Sequence, residues 1–257
     1  MKIVFMGTPD FSVPALEELA KVHQVAAVVT QQDRPKGRGH KMQYTPVKEK
    51  ALELNIPVYQ PEKVKNTEFV DILREINPDV IVVIAFGQIL SKEILDLPKY
   101  GCINVHASLL PKYRGAAPIQ WAVIDGEEET GVTTMYMAEG LDTGDVIDTA
   151  VIKLDEKETG GSLFDKLAIE GGKLIVETLS KLENGTATRT PQDDEKSSYA
   201  GKITKELGQI DFTKPAVTIE RLIRGLNPWP SAYTTLDGKA MKVWDATVEE
   251  GNVTEQP

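Results

Sequence analysis

Residues 79–86, DVIVVIAF, decide the fold of this chain. The run is apolar without polar alternation, which is typical of a strand buried on both faces of a parallel sheet. Shorter β-type runs stand at residues 2–6, at 25–30 and around Ile103, and predicted helices separate them. This βαβα order over the first 125 residues predicts an α/β fold with a doubly wound, mostly parallel sheet and right-handed crossovers.

The remaining elements follow from apolar periodicity and from turn residues. Helices are predicted at residues 12–21, 47–54, 67–75, 90–95, 117–124, 162–184 and 217–225, and further strands at 58–59, 131–137, 146–154, 232–236 and 239–247. We divide the chain into a main unit at 1–190, a polar linker at 191–206 and a small C-terminal region at 207–257. Units below about 40 to 60 residues are marginal on their own. We therefore expect the C-terminal region to pack on the main unit or to be an incomplete module.

The composition is that of a soluble globular protein, with 41% apolar and 26% charged residues. No run approaches the roughly 18 apolar residues of a membrane helix, and the N-terminal apolar run is too short for a signal peptide. The single cysteine, Cys102, excludes an internal disulfide and fits a reducing cytoplasm. Three histidines and one cysteine offer no cluster with metal-ligand spacing. We expect a cytoplasmic monomer with no metal and no membrane partner.

Residues 101–115, GCINVHASLLPKYRG, hold the strongest functional signal. Alternate residues of a strand face the same side, so Asn104 and His106 should point together while Ile103 and Val105 point into the core. An amide donor beside an imidazole can stabilise a developing oxyanion and move a proton. The alternative is a strand end whose polar side chains only bond to the next loop.

Residues 141–145, LDTGD, contain a carboxylate that could orient the His106 imidazole. Loops at the carboxyl ends of parallel strands converge on one crevice, so Asp142 could orient His106, although aspartates in such turns are commonly structural. Asn104, His106 and Asp142 include no nucleophile, and Cys102 would lie at least a strand-length from the crevice. We therefore expect the attacking group to come from a substrate, as in direct transfer of an acyl group to an amine.

The first turn of the chain resembles a nucleotide-binding turn but lacks its spacing. Residues 7–14 read GTPDFSVP, so Thr8, Pro9 and Asp10 stand where a G-x-G-x-x-G motif would bring a pyrophosphate to a helix N-terminus. A Walker lysine motif is also missing from the sequence. We expect neither NAD nor ATP as a cofactor, and we interpret Gly7 as shaping the end of a strand.

A basic segment, residues 31–48, stands out in a chain with a net charge of −10 and an isoelectric point of about 5.0. Against the single acid Asp33 it holds five cationic residues, namely Arg34, Lys36, Arg38, Lys41 and Lys48. The segment follows the strand at 25–30, so it should emerge at the same sheet edge as Asn104 and His106. A basic loop beside an active crevice would steer a phosphate-rich substrate. The alternative is a solvated loop.

Taken together, these motifs resemble those of the formyltetrahydrofolate-dependent transformylases, and most closely the methionyl-tRNA formyltransferase family. The similarity runs from residue 1 to about 248 and includes GTPDF at 7–11, DRPKGRG at 33–39, INVHASLLPKYRGAAPIQ at 103–120 and LDTGD at 141–145. It also includes YAGKITKE at 199–206 and NPWP at 227–230. The last two motifs and the basic segment narrow the resemblance to the tRNA enzymes.

The resemblance implies a Rossmann-like formyltransferase domain. It also implies transfer of the formyl group of 10-formyltetrahydrofolate to the α-amine of methionyl initiator tRNA for translation initiation, without a covalent enzyme intermediate. Asn104 would bind the formyl oxygen, His106 would assist proton movement, and Asp142 would hold His106. The residues implied to contact folate are Ser108, Leu109, Leu110, Pro111, Phe86, Gln88 and Leu90. Those implied to meet the tRNA are Arg34, Lys36, Arg38 and Lys41.

The resemblance further implies an OB-like barrel at the C-terminal end, of which residues 207–257 would form only a part. Two other functions stay open at this point. A formyltransferase for a small amine, such as an amino sugar or glycinamide ribonucleotide, would not need the basic segment. A catalytically silent folate-binding or tRNA-binding module would not need the intact set of Asn104, His106 and Asp142.

Overall fold

The computed structural model describes residues 1–36 and 41–249, with the backbone alone at 35, 36 and 41. Its strands, in chain order, are β1 (Lys2–Gly7), β2 (Gln24–Val29), β3 (Arg34–Lys36), β4 (Lys41–Gln43), β5 (Val58–Tyr59), β6 (Val80–Ile84), β7 (Cys102–His106), β8 (Arg114–Gly115), β9 (Glu129–Tyr136), β10 (Val146–Lys153), β11 (Tyr199–Ala200), β12 (Ala232–Leu236) and β13 (Lys239–Val243). Its α-helices are α1 (Val13–Val22), α2 (Pro46–Glu53), α3 (Thr67–Ile76), α4 (Lys92–Leu95), α5 (Pro118–Asp125), α6 (Gly160–Glu183) and α7 (Ala216–Gly225).

Seven strands form the main sheet in the order β10-β9-β7-β6-β1-β2-β5. Strands β5, β2, β1, β6 and β7 are parallel, whereas β9 pairs antiparallel with both β7 and β10. The predicted α/β class with a mostly parallel sheet is therefore confirmed. The turn between β9 and β10 returns the chain directly without a crossover helix, which makes this pair antiparallel. Strand β9 is antiparallel to β7 as well, although α5 lies between them in the chain.

Strand β6 is buried on both faces, as its continuous apolar run predicts. All five of its side chains are at most 3% exposed. Val80, Val82 and Ile84 belong to the core layer beneath α1 and α6, while Ile81 and Val83 belong to the layer beneath α3. Because helices cover both faces of this central strand, no position along it needs a polar side chain.

The structure departs from the predicted elements where segments are short. The polar segment after β2 contains the antiparallel pair β3 and β4, and the predicted helix at 90–95 shrinks to α4. Strands β8 and β11, of two residues each, pair in parallel and were not predicted. β8 and β11 lie more than 80 residues apart in the chain, and two residues are too few to show a periodicity, so local sequence does not predict this pair.

The C-terminal region packs against the main unit through α7, which lies along α5. Its small core contains Ile210, Ile223 and Ala232, and β12 pairs antiparallel with β13. The Arg224 guanidinium donates to the carbonyl of Glu158 at 2.7 Å, just before α6 begins. The division at 190 and 206 and the OB-like barrel stay predictions. Within residues 1–36 and 41–249, no helix is long and apolar enough to span a membrane.

Candidate active site at the carboxyl edge of the sheet

Strand β7 carries the two predicted polar residues on one face. Ile103 and Val105 are at most 3% exposed and pack in the layer beneath α1 and α6. Asn104 is half-buried, whereas His106 is only 7% exposed. Within the described part of the chain, the Asn104 side-chain amide makes no hydrogen bond, so its N–H groups are free to meet a ligand oxygen.

The imidazole of His106 is held from two sides. Its Nε2 lies 2.9 Å from the carbonyl oxygen of Tyr113, and its Nδ1 lies 3.7 Å from Oδ2 of Asp142. A carbonyl oxygen can only accept, so Nε2 carries a hydrogen in this arrangement. Nδ1 is then the ring atom that can take up a proton. The distance to Asp142 exceeds that of a direct hydrogen bond, but it places the carboxylate beside any charge that forms on the ring.

Asp142 sits in the turn between β9 and β10 and is the third member of the set. Its φ of 53° lies in the left-handed region, which Asp and Asn tolerate better than most side chains. Its Oδ2 accepts the Gly115 N–H at 2.8 Å. Two positions later a Cβ at Gly144 would overlap the carbonyl oxygen of Tyr136, so the turn needs glycine there. The structure thus brings Asp142 beside His106 and near Asn104, but not by the predicted route. Strand β9 runs antiparallel to β7, so the turn after β9 leaves the sheet beside Ile103 and folds back to reach His106.

Tyr113 supports this set and was not anticipated from the sequence. Its φ of 58° turns its carbonyl toward His106. Its hydroxyl contacts the carboxylates of Asp125 at 2.9 Å and Glu127 at 2.8 Å. Burial, together with these two carboxylates, raises the pKa of Tyr113. The phenol therefore stays neutral and anchors the turn, a role that a sequence pattern does not reveal.

Ser108, Leu109, Leu110 and Pro111 form the loop after β7. The Ser108 hydroxyl is fully buried and donates to the carbonyl of Lys112 at 2.6 Å. The Leu110 N–H donates to the Thr133 hydroxyl at 3.2 Å, and that hydroxyl donates to the Ser108 carbonyl at 2.6 Å. The loop is thus held by its own polar groups. The Ser108 hydroxyl and carbonyl are both engaged within the protein.

The second group predicted to meet folate follows β6. Phe86 and Leu90 are 2% and 6% exposed, and the Gln88 side chain accepts the Val64 N–H at 2.8 Å. The Phe86 carbonyl accepts hydrogen bonds from the Thr8 hydroxyl at 3.0 Å and the Gln31 amide at 3.1 Å. Thr8 and Gln31 were not among the predicted site residues. They tie the loops after β1, β2 and β6 together at the carboxyl edge.

Three of the four predicted tRNA-binding residues lie on the β3–β4 pair. Arg34 is exposed at the start of β3. Lys36 and Lys41 lie on the two strands, where the structure describes the backbone only, and Arg38 lies outside the described residues. Lys48, by contrast, is committed to an ion pair with Asp33 and to Oε1 of Gln60 at 2.8 Å. Of the predicted cations whose side chains are described, Arg34 is thus the one that faces solvent.

Cys102 begins β7 and His106 ends it, so the thiol lies at the opposite end of the strand from the imidazole. Burial raises the pKa of the Cys102 thiol to about 12, and its Sγ lies 3.5 Å from the carbonyl oxygen of Ile94. A buried thiol of this kind is inert as a nucleophile. In the described part of the chain, no group of three or more His, Cys, Asp or Glu residues could hold a metal ion.

Comparison with solved structures identifies the fold. A sugar 3N-formyltransferase, WlaRD, crystallised with dTDP and 5-N-formyl-THF, superposes with a TM-score of 0.72 at 23% identity, covering 95% of this chain and 85% of that one. A sugar N-formyltransferase from Shewanella also gives a TM-score of 0.72 at 18% identity, covering 98% of this chain and 99% of that one. At such identities the likeness concerns the fold alone.

Sequence relatives are much closer. A methionyl-tRNA formyltransferase from Agathobacter rectalis is 64% identical over 258 residues, covering 100% of this chain and 83% of the relative. One from Clostridioides difficile is 59% identical over 249 residues, covering 96% of this chain and 81% of the relative. Residues 1–179 match the family described as "Formyl transferase", and residues 202–257 match "Formyl transferase, C-terminal domain". The chain therefore belongs to the formyl transferase family, and within it to the methionyl-tRNA formyltransferases.

Proposed function

We propose that this chain transfers the formyl group of 10-formyltetrahydrofolate to the α-amine of methionine on initiator tRNA. The observation that carries this proposal is the His106–Asp142 pair beside the Asn104 amide near the carboxyl end of β7. The relatives at 51–64% identity, all named methionyl-tRNA formyltransferase, support this acceptor over a small amine. The product is N-formylmethionyl-tRNA and free tetrahydrofolate.

The proposed chemistry is a direct transfer. The amine nitrogen attacks the formyl carbon, and the formyl oxygen becomes negatively charged as the tetrahedral intermediate forms. The side-chain N–H groups of Asn104 stabilise that oxygen, a contribution that is worth about 3 to 4 kcal/mol for one such donor in other acyl-transfer sites. The carbon–nitrogen bond to N10 of the folate then breaks, which restores the carbonyl on the new amide.

Proton movement completes the balance of the reaction. The attacking amine must lose a proton, and the departing N10 must gain one. Nδ1 of His106 takes up the first of these, because Nε2 is already committed to the Tyr113 carbonyl. The Asp142 carboxylate, 3.7 Å from Nδ1, stabilises the imidazolium that results. His106 can then return the proton to the leaving nitrogen.

The substrates would meet the site through two further sets of residues. The loops after β6 and β7 carry the folate-contacting candidates, and the apolar residues Phe86 and Leu90 with the backbone around them would form the pterin pocket. Arg34, Lys36, Arg38 and Lys41 would meet the tRNA backbone. Because the chain has a net charge of −10, a local cationic segment is needed to attract a polyanion.

The test is an assay of radiolabelled formyl transfer from 10-formyltetrahydrofolate. We expect label on methionyl-tRNA and none on free methionine. An amino sugar nucleotide and glycinamide ribonucleotide serve as alternative acceptors in parallel reactions. Label on a small amine without label on methionyl-tRNA would contradict the proposal, and so would binding of both substrates without any transfer.

A further inference from the structure

The segment predicted as a linker lies against the candidate active site. We call residues 190–200 the strap. Thr190 exchanges two backbone hydrogen bonds with Val146, at 2.8 and 2.9 Å, next to the Asp142 turn. Further along, Ser198 accepts the Tyr113 N–H on its hydroxyl at 2.8 Å, and β11 pairs with β8. The strap therefore touches both of the turns that hold His106 and Asp142.

Gln192 is the centre of this contact. Its Nε2 donates one hydrogen to the carbonyl of Asp142 at 2.8 Å and the other to that of Gly144 at 2.7 Å. Its Oε1 accepts from Nε and Nη2 of Arg114 at 3.0 and 2.8 Å. A primary amide has two donors and an acceptor oxygen with two lone pairs, so the hydrogen-bonding capacity of Gln192 is fully used. This pattern also determines which way the amide points.

These four bonds join the two turns on which the site depends. Arg114 lies between Tyr113, whose carbonyl holds His106, and Gly115, whose N–H holds Asp142. On the other side of the Gln192 amide lies the backbone of the Asp142 turn itself. A shift of the amide would therefore move the imidazole and the carboxylate relative to each other.

We propose that Gln192 is a positioning residue for formyl transfer that sets the separation between the Asp142 carboxylate and the His106 imidazole. This inference rests on the proposed function. A neutral amide suits position 192 because the carbonyls of the Asp142 turn require two donors and the Arg114 guanidinium requires an acceptor. A glutamate would still bind Arg114, but it would turn an anionic oxygen toward two carbonyl oxygens. An apolar side chain would lose all four bonds.

The main test compares Gln192→Glu with the wild-type chain in the formyl-transfer assay. A catalytic group displaced by about 1 Å can cost about 100-fold in rate, so we expect kcat to fall about 10- to 100-fold while KM for methionyl-tRNA changes less than about twofold. Gln192→Met is the second variant, in case the glutamate prevents folding. The matched control is Asp194→Asn, which removes the other, exposed partner of Arg114 and should keep kcat within about twofold of wild type.

A double-mutant cycle separates positioning from a merely structural role. If Gln192 acts through Asp142, then Gln192→Glu should lower kcat by less than about twofold once Asp142→Asn is already present, because coupled residues are not additive. Full additivity of the two effects would overturn the proposal. Equal thermal unfolding midpoints of the single variants would exclude a loss of folded protein.

A second readout does not depend on formyl transfer. The chain has three histidines, so the ring ¹⁵N signals of His106 can be assigned by comparison with His106→Gln. We expect these signals to shift in Gln192→Glu and to stay unchanged in Asp194→Asn. Unchanged His106 signals in a folded Gln192→Glu variant would overturn the proposal. A wild-type chain that forms no formylmethionyl-tRNA would refute the proposed function, and the ¹⁵N signals would still decide the role of Gln192.

Discussion

Replacing Asp142 by Asn tests the proposed chemistry most directly. Asparagine has the same shape, tolerates the left-handed backbone at this position, and can still accept the Gly115 N–H through its carbonyl oxygen. The substitution therefore removes the negative charge and leaves the turn intact. With Nδ1 of His106 at 3.7 Å from the carboxylate and an effective dielectric constant of about 20, the charge stabilises an imidazolium by about 4 kcal/mol.

This energy sets the expected loss of rate. About 1.4 kcal/mol corresponds to a tenfold change, so losing the whole interaction would slow the step about 1000-fold. The amide dipole of Asn retains a part of the stabilisation, and we therefore expect kcat to fall between about 100- and 1000-fold. Side-chain exposures of 8% and 12% for His106 and Asp142 mean that salt should screen the interaction weakly.

The assay is single-turnover formyl transfer to methionyl-tRNA at saturating folate. Thermal unfolding of Asp142→Asn should match that of the wild-type chain within a few degrees, which separates an effect on chemistry from one on folding. A variant that keeps at least a third of the wild-type rate would refute the role assigned to the carboxylate. That result would mean that the His106 imidazole acts without help from the Asp142 charge.

Three further predictions concern other parts of the molecule. Asn104→Ala should lower kcat about 100- to 1000-fold by removing the oxyanion donor, with little change in folate binding; full turnover would remove Asn104 from the mechanism. Arg38→Ala should raise KM for methionyl-tRNA, lower the salt dependence of tRNA binding by the equivalent of about one phosphate contact, and leave the folate Kd unchanged. The control, Lys21→Ala on α1, should change neither KM for methionyl-tRNA nor its salt dependence. Glu158 is buried, which by itself would raise its pKa, but hydrogen bonds from Lys166 and Ser162 hold the pKa below the ordinary 4.5. The stabilisation that the Glu158 carboxylate gives to the fold is present above about pH 4.5 and is lost as the pH falls through its folded-state pKa. Glu158→Gln should therefore lower the free energy of unfolding at pH 7 and differ little from the wild type in strong acid. Denaturant titrations at the two pH values would measure both.

The way in which the Asp142 turn is held also explains why glycines stand at positions 115 and 144, beside the site. At Gly115 the φ of 113° and the nearby carbonyl of Ala200 exclude a side chain, and its N–H must face Asp142. At Gly144 the close approach of Tyr136 leaves no room for a Cβ. Gly115 lets its N–H meet the Asp142 carboxylate, and Gly144 lets the turn that carries Asp142 pass close to the Tyr136 carbonyl.

The sequence alone determined the features that depend on local pattern. The unbroken apolar run of β6 indicated burial on both faces, because a strand with one solvated face usually alternates apolar and polar side chains. The two-residue period of a strand placed Asn104 and His106 of β7 on one face. The DVIVVIAF, INVH and LDTGD stretches therefore indicated the sheet and the members of the site before any contact was known.

Only the tertiary structure decided how the site is held. Gln192 and Asp142 are fifty positions apart, and the strap that carries Gln192 has the polar composition of a solvated linker. A polar side chain that binds protein looks the same in sequence as one that binds water. The role of Tyr113 is equally hard to predict from the sequence, because its backbone carbonyl holds His106 and its side chain only anchors the turn. Hydrogen bonds between distant backbone groups depend on the route of the whole chain, and no local periodicity records that route.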